Sequence, residues 1–368
     1  MTMAHQVGDA TYTTHAQRPA DFRDECITMA HGAGGKSSQS LIEGLLLAEL
    51  TDDDNHTLAA LADAGTLALD AAALAAEGST LAVSTDSFVV RPLRFPGGSI
   101  GELAVNGTVN DLAVSGARAL ALTLSLVLEE GLDTQTLRAE MQALARAARR
   151  AGVQVIAGDT KVVEHGHADG MYVCTTGIGV VDPRACLAPT ALTPGDHVLV
   201  SGPVGAHGMA VMLARESFEL QAPIVSDTAP LWPAVDALLQ TAGTDVHCMR
   251  DATRGGVASA LNELARASGV AAVVRETDVP VQAEVAAAAE LLGIDPLYVA
   301  NEGRLVAFVA PASAQAALAA LRAVAGCELA ADIGEVQAEP AGMVLVDTAF
   351  GGRRVMDLLA GDPLPRIC

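Results

Sequence analysis

The sequence predicts a mixed α+β protein of two domains followed by a flexible C-terminal tail. Three observations predict it. The chain has 368 residues, roughly the length of two ordinary domains. Short β-branched runs alternate with segments of helical period in both halves. A cluster of Pro183, Pro189, Pro194 and Gly195 interrupts that alternation mid-chain. The expected division is a loose extension (1–25), a first domain (26–184), a second domain (185–355) and a tail (356–368), with the break near Asp182–Leu187.

In chain order, Cys26 to Ala48 reads as a short strand, a glycine loop and a helix. A variable acidic stretch, Thr51 to Gly78, follows. TLAVSTDSFVV alternates and is β-branched, hence a strand. IGELAVNGTVNDLAVSGA carries apolar residues at helical spacing. LALTLSLVLEE is a buried-type strand. Asp133 to Gly152 is a helix closed by its glycine. VQVIAGDT and MYVCTTGIGVV are strands.

The second half repeats the style. HVLV is a strand and MAVMLARES a helix. CMRDATRGGVASALNELARAS is strand, loop and helix. AAVVRE, EVAAAAELLG, RLVAFVA and SAQAALAALRAV alternate strand and helix, and ADIGEVQ and GMVLVDT are the last globular strands. GGRRVMDLLAGDPLPRIC, with two prolines in its last six residues, reads as extended.

The composition excludes several functions. Net charge is −22, which argues against nucleic acid and anionic membrane. Arg146, Arg149 and Arg150 read as one face of a helix. No apolar run reaches the ~18–20 residues that span a bilayer. The polar N-terminus lacks the basic start and apolar stretch of a secretory signal, so the expected location is the cytoplasm. Six cysteines without a C-x-x-C pair make neither a zinc site nor a disulfide scaffold. Five of them read as small core residues. The sixth, Cys368, is the last residue.

Lysine occurs only as Lys36 and Lys161. Both stand in loop motifs, HGAGGKS and AGDTKVV, where a compact ammonium is not replaceable by arginine. AHGAGGKSS places small residues before a helix, so backbone N–H groups can approach phosphate. It is not a Walker A loop, because Ala30 stands where the first glycine belongs. A plain glycine turn and a phosphate-covering loop of another type both stay open, the second being favoured.

Asp86 (STDSFVV), Asp111 (TVNDLAV), Asp159 (AGDTKVV) and Asp251 (MRDATRGG) sit in short motifs framed by small or polar residues. Taken singly, each caps a turn. Their recurrence beside glycine-rich loops favours a shared Mg²⁺–phosphate site, since Mg²⁺ bridges a few carboxylates to nucleotide phosphates. Arg254 precedes two glycines and can reach a phosphate. Glu302, beside Asn301 in an apolar run, is either a base of raised pKa or a hydrogen-bonded structural acid. His165 and His167 read as surface residues. The tail DPLPRIC is stiffened by proline, and its seven residues reach roughly 23–25 Å when extended. Its thiol is unhindered, with Arg366 favouring the thiolate.

These motifs together resemble the HypE family of hydrogenase maturation factors, carbamoyl dehydratases of the PurM-like superfamily that includes aminoimidazole ribonucleotide and selenophosphate synthetases. The resemblance runs from about Ile27 to Cys368. It is carried by HGAGGK, STDSFVVRPLRFPGG, IGELAVNGTVNDLAVSGA, LVLEEGL, GDTKVV, TTGIGVV, MRDATRGGVASALNEL, DPLYVANEGRLV and, most diagnostic, the terminal PRIC. It implies a homodimer formed through strands of the first domain, and ATP in a cleft near that interface. Asp86, Asp111 and Asp251 would hold Mg²⁺. Gly32, Gly34, Gly35 and Lys36 would lie in a segment covering ATP, with Asn110, Asp159, Thr160 and Arg254 also on the nucleotide.

The implied reaction starts with a carbamoyl group placed on Cys368 by a HypF-type carbamoyltransferase. ATP activates its oxygen, a base relay of Lys161 and Glu302 removes the nitrogen protons, and a thiocyanate results. Its cyano group passes to iron on a HypC–HypD scaffold, as a ligand for NiFe hydrogenase. Two departures stand out: Ala252 and Ala119 occupy positions where the family usually or often has proline, so altered loop rigidity is expected there. A synthetase acting on a free small molecule, a non-catalytic scaffold that docks its tail, and a P-loop kinase, against which the missing glycine counts, are the competing readings.

Overall fold

A computed structural model describes residues 22–51, 58, 65–67, 80–215 and 223–359. Most of the expected extension, much of the acidic stretch, and Cys368 with the tail from residue 360 onward lie outside the described residues.

The first part opens on helix α1 (Lys36–Leu41), which runs through a π-helical stretch (Ile42–Leu47) into α2 (Ala48–Leu50). Cys26 makes only an isolated bridge to Asp133, not the expected strand, and a 3₁₀ turn (Met29–Gly32) leads into the glycine loop. Then come β1 (Leu81–Phe88), a small hairpin β2 (Arg94–Phe95) and β3 (Gly98–Ser99), helix α3 (Ile100–Val114), β4 (Ala117–Glu129), α4 (Thr134–Ala151), β5 (Gln154–Val163) and β6 (Met171–Val181). The main sheet has the order β1-β6-β4-β5. Only β4 and β5 run parallel in it.

α4 is written locally. The Asp133 carboxylate accepts the Thr136 N–H at 2.7 Å, and Gly152 ends the helix at φ 69°. Leu137, Met141 and Leu144 are buried, while Arg146, Arg149 and Arg150 face outward.

α3 is buried nearly all round, with its polar side chains Asn106, Thr108 and Asn110 each hydrogen-bonded to a neighbouring element. Small residues let it come close to its neighbours. A Cβ on Gly107 would lie 2.7 Å from the Phe88 ring, and one on Gly101 would lie 2.3 Å from the Glu140 carbonyl oxygen. Thr108 bonds to Thr175 of β6 at 2.6 Å, anchoring the helix on the sheet.

The second part comprises β7 (His197–Val200), α5 (Ala206–Arg215), α6 (Trp232–Ala242), β8 (Val246–Asp251), α7 (Gly256–Ser268), β9 (Ala271–Arg275), α8 (Ala283–Leu292), β10 (Leu305–Val309), α9 (Pro311–Arg322), β11 (Ala331–Gln337), β12 (Val344–Asp347) and β13 (Arg353–Val355). They form a seven-stranded sheet of order β13-β12-β9-β11-β7-β10-β8. Both faces are covered. Val306 and Phe308 of β10 enter the core with α7, whereas Leu305, Ala307 and Val309 enter the core with α6 and α9. Burial on both faces is why this strand reads as a continuous apolar run.

The mixed α+β class is as expected. Beyond Cys26, three features differ from the reading: β2 and β3 pair as a hairpin, α6 stands where no helix is expected, and the GGRRV segment is not wholly tail, since Arg353–Val355 pairs with β12. Of the cysteines read as core, only Cys248 and Cys327 are buried. Cys26 and Cys186 are exposed and Cys174 is half-buried, because their strand and loop positions face open sides of the fold.

The two parts share packing. Ala113 and Val114 at the end of α3 belong to the core that contains α6. Residues of α5 and α8 join the core built around α3 and α4. α3 is therefore the beam between the two sheets.

Candidate active site

Five carboxyl groups meet where α3 passes between the sheets. Asp86 leaves β1 on the α3 side, beside Gly107. Asp111, in the last turn of α3, accepts the Ser84 hydroxyl at 2.6 Å. Asp251 ends β8 and is buried. Glu302 is buried in the loop before β10, and Asp227 is buried beside it. A cleft of about 250 Å³ opens onto Ser84, Asp111, Ser115, Arg250 and Asp251.

Burial governs the electrostatics. Desolvation, then the neighbouring Asp111 charge, pushes Asp251 up to about 7. Asp111 is also raised, by burial first, against the lowering hydrogen bond from Ser84. Glu302 is raised well above the usual carboxylate range by burial, then by Asp251, Asp227, Asp86 and Asp111. Arg250 is the cation that offsets this charge, acting on both Asp111 and Asp251.

The loop holding Glu302 is pinned on every side. Asn301 accepts the Gly205 N–H at 2.7 Å and donates to the carbonyls of Ala252 and Val299. Asn110 of α3 donates to the carbonyls of Ala229 (3.0 Å) and Glu302 (3.2 Å) and accepts the Leu231 N–H (2.7 Å). Asn110, expected on a nucleotide, has its amide engaged by the backbone of the second part, to which α3 presents it.

A second group gathers along β5. Gly32 lies against Val162 of β5, Gly34 adopts φ 78°, and Gly35 precedes α1, which begins at Lys36. Gly34 N–H donates to Ser38 Oγ at 2.8 Å, closing the loop on its helix. The loop faces Asp159, Thr160 and Lys161 across a cavity of about 320 Å³, whose inner wall includes Leu46, Leu124 and Val155. Lys161 Nζ donates to both Asp159 oxygens at 2.8 and 2.7 Å, which lowers the Asp159 pKa. Both side chains are more than three-fifths exposed, so the pair adds little stability.

The two groups are separate within one copy. The pairing row runs Asp86, Thr175, Leu124, Gly158 across β1, β6, β4 and β5, about 14 Å at ~4.8 Å per strand. Alternation puts Asp86 on the helix-covered face and Asp159 and Lys161 on the open face. Within a single chain the structure does not bring Lys161 and Glu302 together: Lys161 pairs with Asp159, and Glu302 lies behind α3. Arg254 is exposed at the entry to α7. There a Cβ on Gly256 would lie 2.5 Å from the Leu297 carbonyl oxygen, so the turn admits only glycine.

The acid cluster fits Mg²⁺ in donor type and charge, being all oxygen and short of cations. Among the described residues no group of three or more ligands stands ready to hold a metal ion. A metal there would share its shell with phosphate oxygens and water, as Mg²⁺ does at nucleotide sites.

Against known proteins, residues 68–181 match the AIR synthase related N-terminal domain, and residues 193–347 match the corresponding C-terminal domain. The carbamoyl dehydratase HypE of Rhodobacter capsulatus is 46% identical over 347 residues, 94% of this chain and 99% of that protein. The chain belongs to the HypE family. A solved structure of the hydrogenase maturation protein HypE in complex with ATP superposes with TM-score 0.86 at 42% identity, covering 93% of this chain and 99% of that one. A HypE chain solved in complex with HypF matches with TM-score 0.74 at 43% identity, over 76% of this chain and 90% of that one. HypE proteins are thus hydrogenase maturation enzymes with the PurM-like fold, and no helix among the described residues of this chain is long and apolar enough to cross a membrane.

Sequence reasoning missed Asp227, Ser84 and Arg250. Arg250 adjoins Asp251 in MRD and was within reach of the motif. Asp227 stands in PIVSDTAP, which reads as a polar turn, and nothing local marks it as buried.

Proposed function

We propose that this chain uses ATP to dehydrate a carbamoyl group carried on the thiol of Cys368, forming the thiocyanate that supplies cyanide to the iron of a NiFe hydrogenase. The observation that carries this reading is Glu302, a fully buried carboxyl ringed by four aspartates, in a HypE chain that ends in cysteine.

The carbamoyl oxygen cannot leave unaided. Transfer of the ATP γ-phosphoryl group to it makes the leaving group phosphate and the carbon an imidate. Such transfer needs positioning and charge neutralisation. Asp86, Asp111 and Asp251 would hold Mg²⁺, which neutralises phosphate charge. Gly32, Gly34, Gly35 and Lys36 cover the phosphates, and Thr160 and Arg254 contribute donors. Glu302 then takes a nitrogen proton. A carboxyl with a raised pKa is the stronger base once ionised. Loss of the protons closes the C≡N bond, the C–O bond breaks, and phosphate departs with its electron pair. The products are the S-cyano cysteine, ADP and phosphate.

A homodimer would complete this site. The face of the first sheet away from α3 is open, with Leu81 and Val83 of β1 exposed at 50% and 66%. Asp159 and Lys161 project from the same face. With the β5 edge of one copy set beside the β1 edge of the other, Lys161 would reach past that edge to the acid cluster on the far face and assist Glu302 across the interface. Consistent partners are a HypF-type carbamoyltransferase that loads Cys368 and a HypC–HypD scaffold that accepts the cyano group, all in the cytoplasm.

The test is the mass of the C-terminal peptide after incubation with Mg-ATP and a carbamoyl-loading system, beside Cys368→Ala. Gain of a carbamoyl group followed by ATP-dependent loss of one water is expected. An unmodified tail under active loading would sink the reading and favour a synthetase of free substrates.

A further inference from the structure

The residue that holds Glu302 is itself a buried acid. Asp227 lies in the irregular segment 223–231, its side chain only 3% exposed. Its Oδ1 accepts the Glu302 backbone N–H at 3.2 Å. Its Oδ2 is buried with no hydrogen-bond donor among the described residues. The nearest cation, Arg304 Nε, stands 3.6 Å away and directs its N–H to the Pro203 carbonyl at 3.2 Å.

The two segments touch without slack. A Cβ on Gly303 would fall 2.0 Å from the Asp227 carbonyl oxygen. Segment 223–231 is fastened in turn. Ser226 N–H donates to the Pro96 carbonyl at 2.8 Å, Asn106 Nδ2 donates to Thr228 Oγ1 at 3.0 Å, and Asn110 clamps Ala229 and Leu231.

Asp227 Oδ1 is the acceptor that fastens the Glu302 N–H to segment 223–231, and the close approach of Gly303 to the Asp227 carbonyl holds the two segments in register. We propose that Asp227 is a positioning residue for Glu302: it fixes the Glu302 main chain through Oδ1. This rests on Glu302 being the base of the dehydration.

The experiment is single-turnover dehydration of full-length, Cys368-carbamoylated protein with Mg-ATP, beside ATP affinity and Tm. Asp227→Ala removes the acceptor of the Glu302 N–H and should slow dehydration about tenfold with ATP affinity unchanged, and Asp227→Asn, which keeps an oxygen acceptor, should restore most of that rate. Should Asp227→Ala not fold, Asp227→Glu, which displaces the acceptor by one methylene, should slow dehydration in the same way. A parental rate in a folded Asp227→Ala or Asp227→Glu overturns the proposal, as does an Asp227→Asn no faster than Asp227→Ala. Glu302→Gln separates the two readings. If it retains dehydration, the base assignment falls and this inference with it. If it is inactive while the Asp227 variants keep the parental rate, only the positioning role falls.

Discussion

Asn110 shows how a motif residue can be legible in place and illegible in role. TVNDLAV marks it beside an acid, and its amide then ties α3 to Glu302 and to Leu231 through three hydrogen bonds. Asn110→Ala would leave a buried N–H without an acceptor and two carbonyls short of a donor. We expect a loss of about 2–3 kcal/mol in urea unfolding, and about a tenfold drop in dehydration rate as Glu302 loosens. Ala252 is a second case. Its N–H donates to the Arg304 carbonyl at 2.9 Å, a bond that proline at this position would lack. The departure from the family pattern thus adds a tie between β8 and the Glu302 loop, where altered rigidity was expected.

Among elements, α4 was readable from end to end because its cap, its period and its terminal glycine are local signals. α6 is masked locally, because WPAVDALLQTA follows a proline-rich turn and carries Pro233 in its own first turn. The meeting of β8 with α3 has a consequence in pH. Asp251 titrates near 7 in the folded chain against a reference of 3.8, and Asp111 and Glu302 shift the same way. Between those values the folded state holds protons that the unfolded state has released. Stability is therefore full below about pH 4 for these groups and declines as pH rises through 7. Without nucleotide or metal, the Tm should fall by a few degrees from pH 5 to pH 8, and Asp251→Asn should flatten that slope in a calorimetric series. A Tm that rises over this range would show that the acids ionise freely in the fold.

At the scale of the whole molecule, the open face of the first sheet carries the prediction. Val83 is exposed and apolar on an edge strand of that face. Val83→Glu places a charge where two copies would pack, so sedimentation should give the mass of one chain where the unaltered protein is expected to give that of two, with the fold intact by circular dichroism. Dehydration should fall with it if Lys161 acts across the interface; an unchanged mass would place any dimer elsewhere. The sequence by itself determined the mixed α+β elements, the glycine loop beside Lys36, the aspartate motifs and the family to which they point, because each depends on a few neighbouring residues. Only the tertiary structure decided which acids meet. Positions 86, 111, 227, 251 and 302 converge because α3, small-sided and buried nearly all round, can be packed between two sheets, and the burial that results is what raises Asp251 and Glu302. It also decided that Lys161 and Glu302 stand apart in one copy, since strand order and the alternation of side chains across a sheet are properties of pairing and not of any single strand.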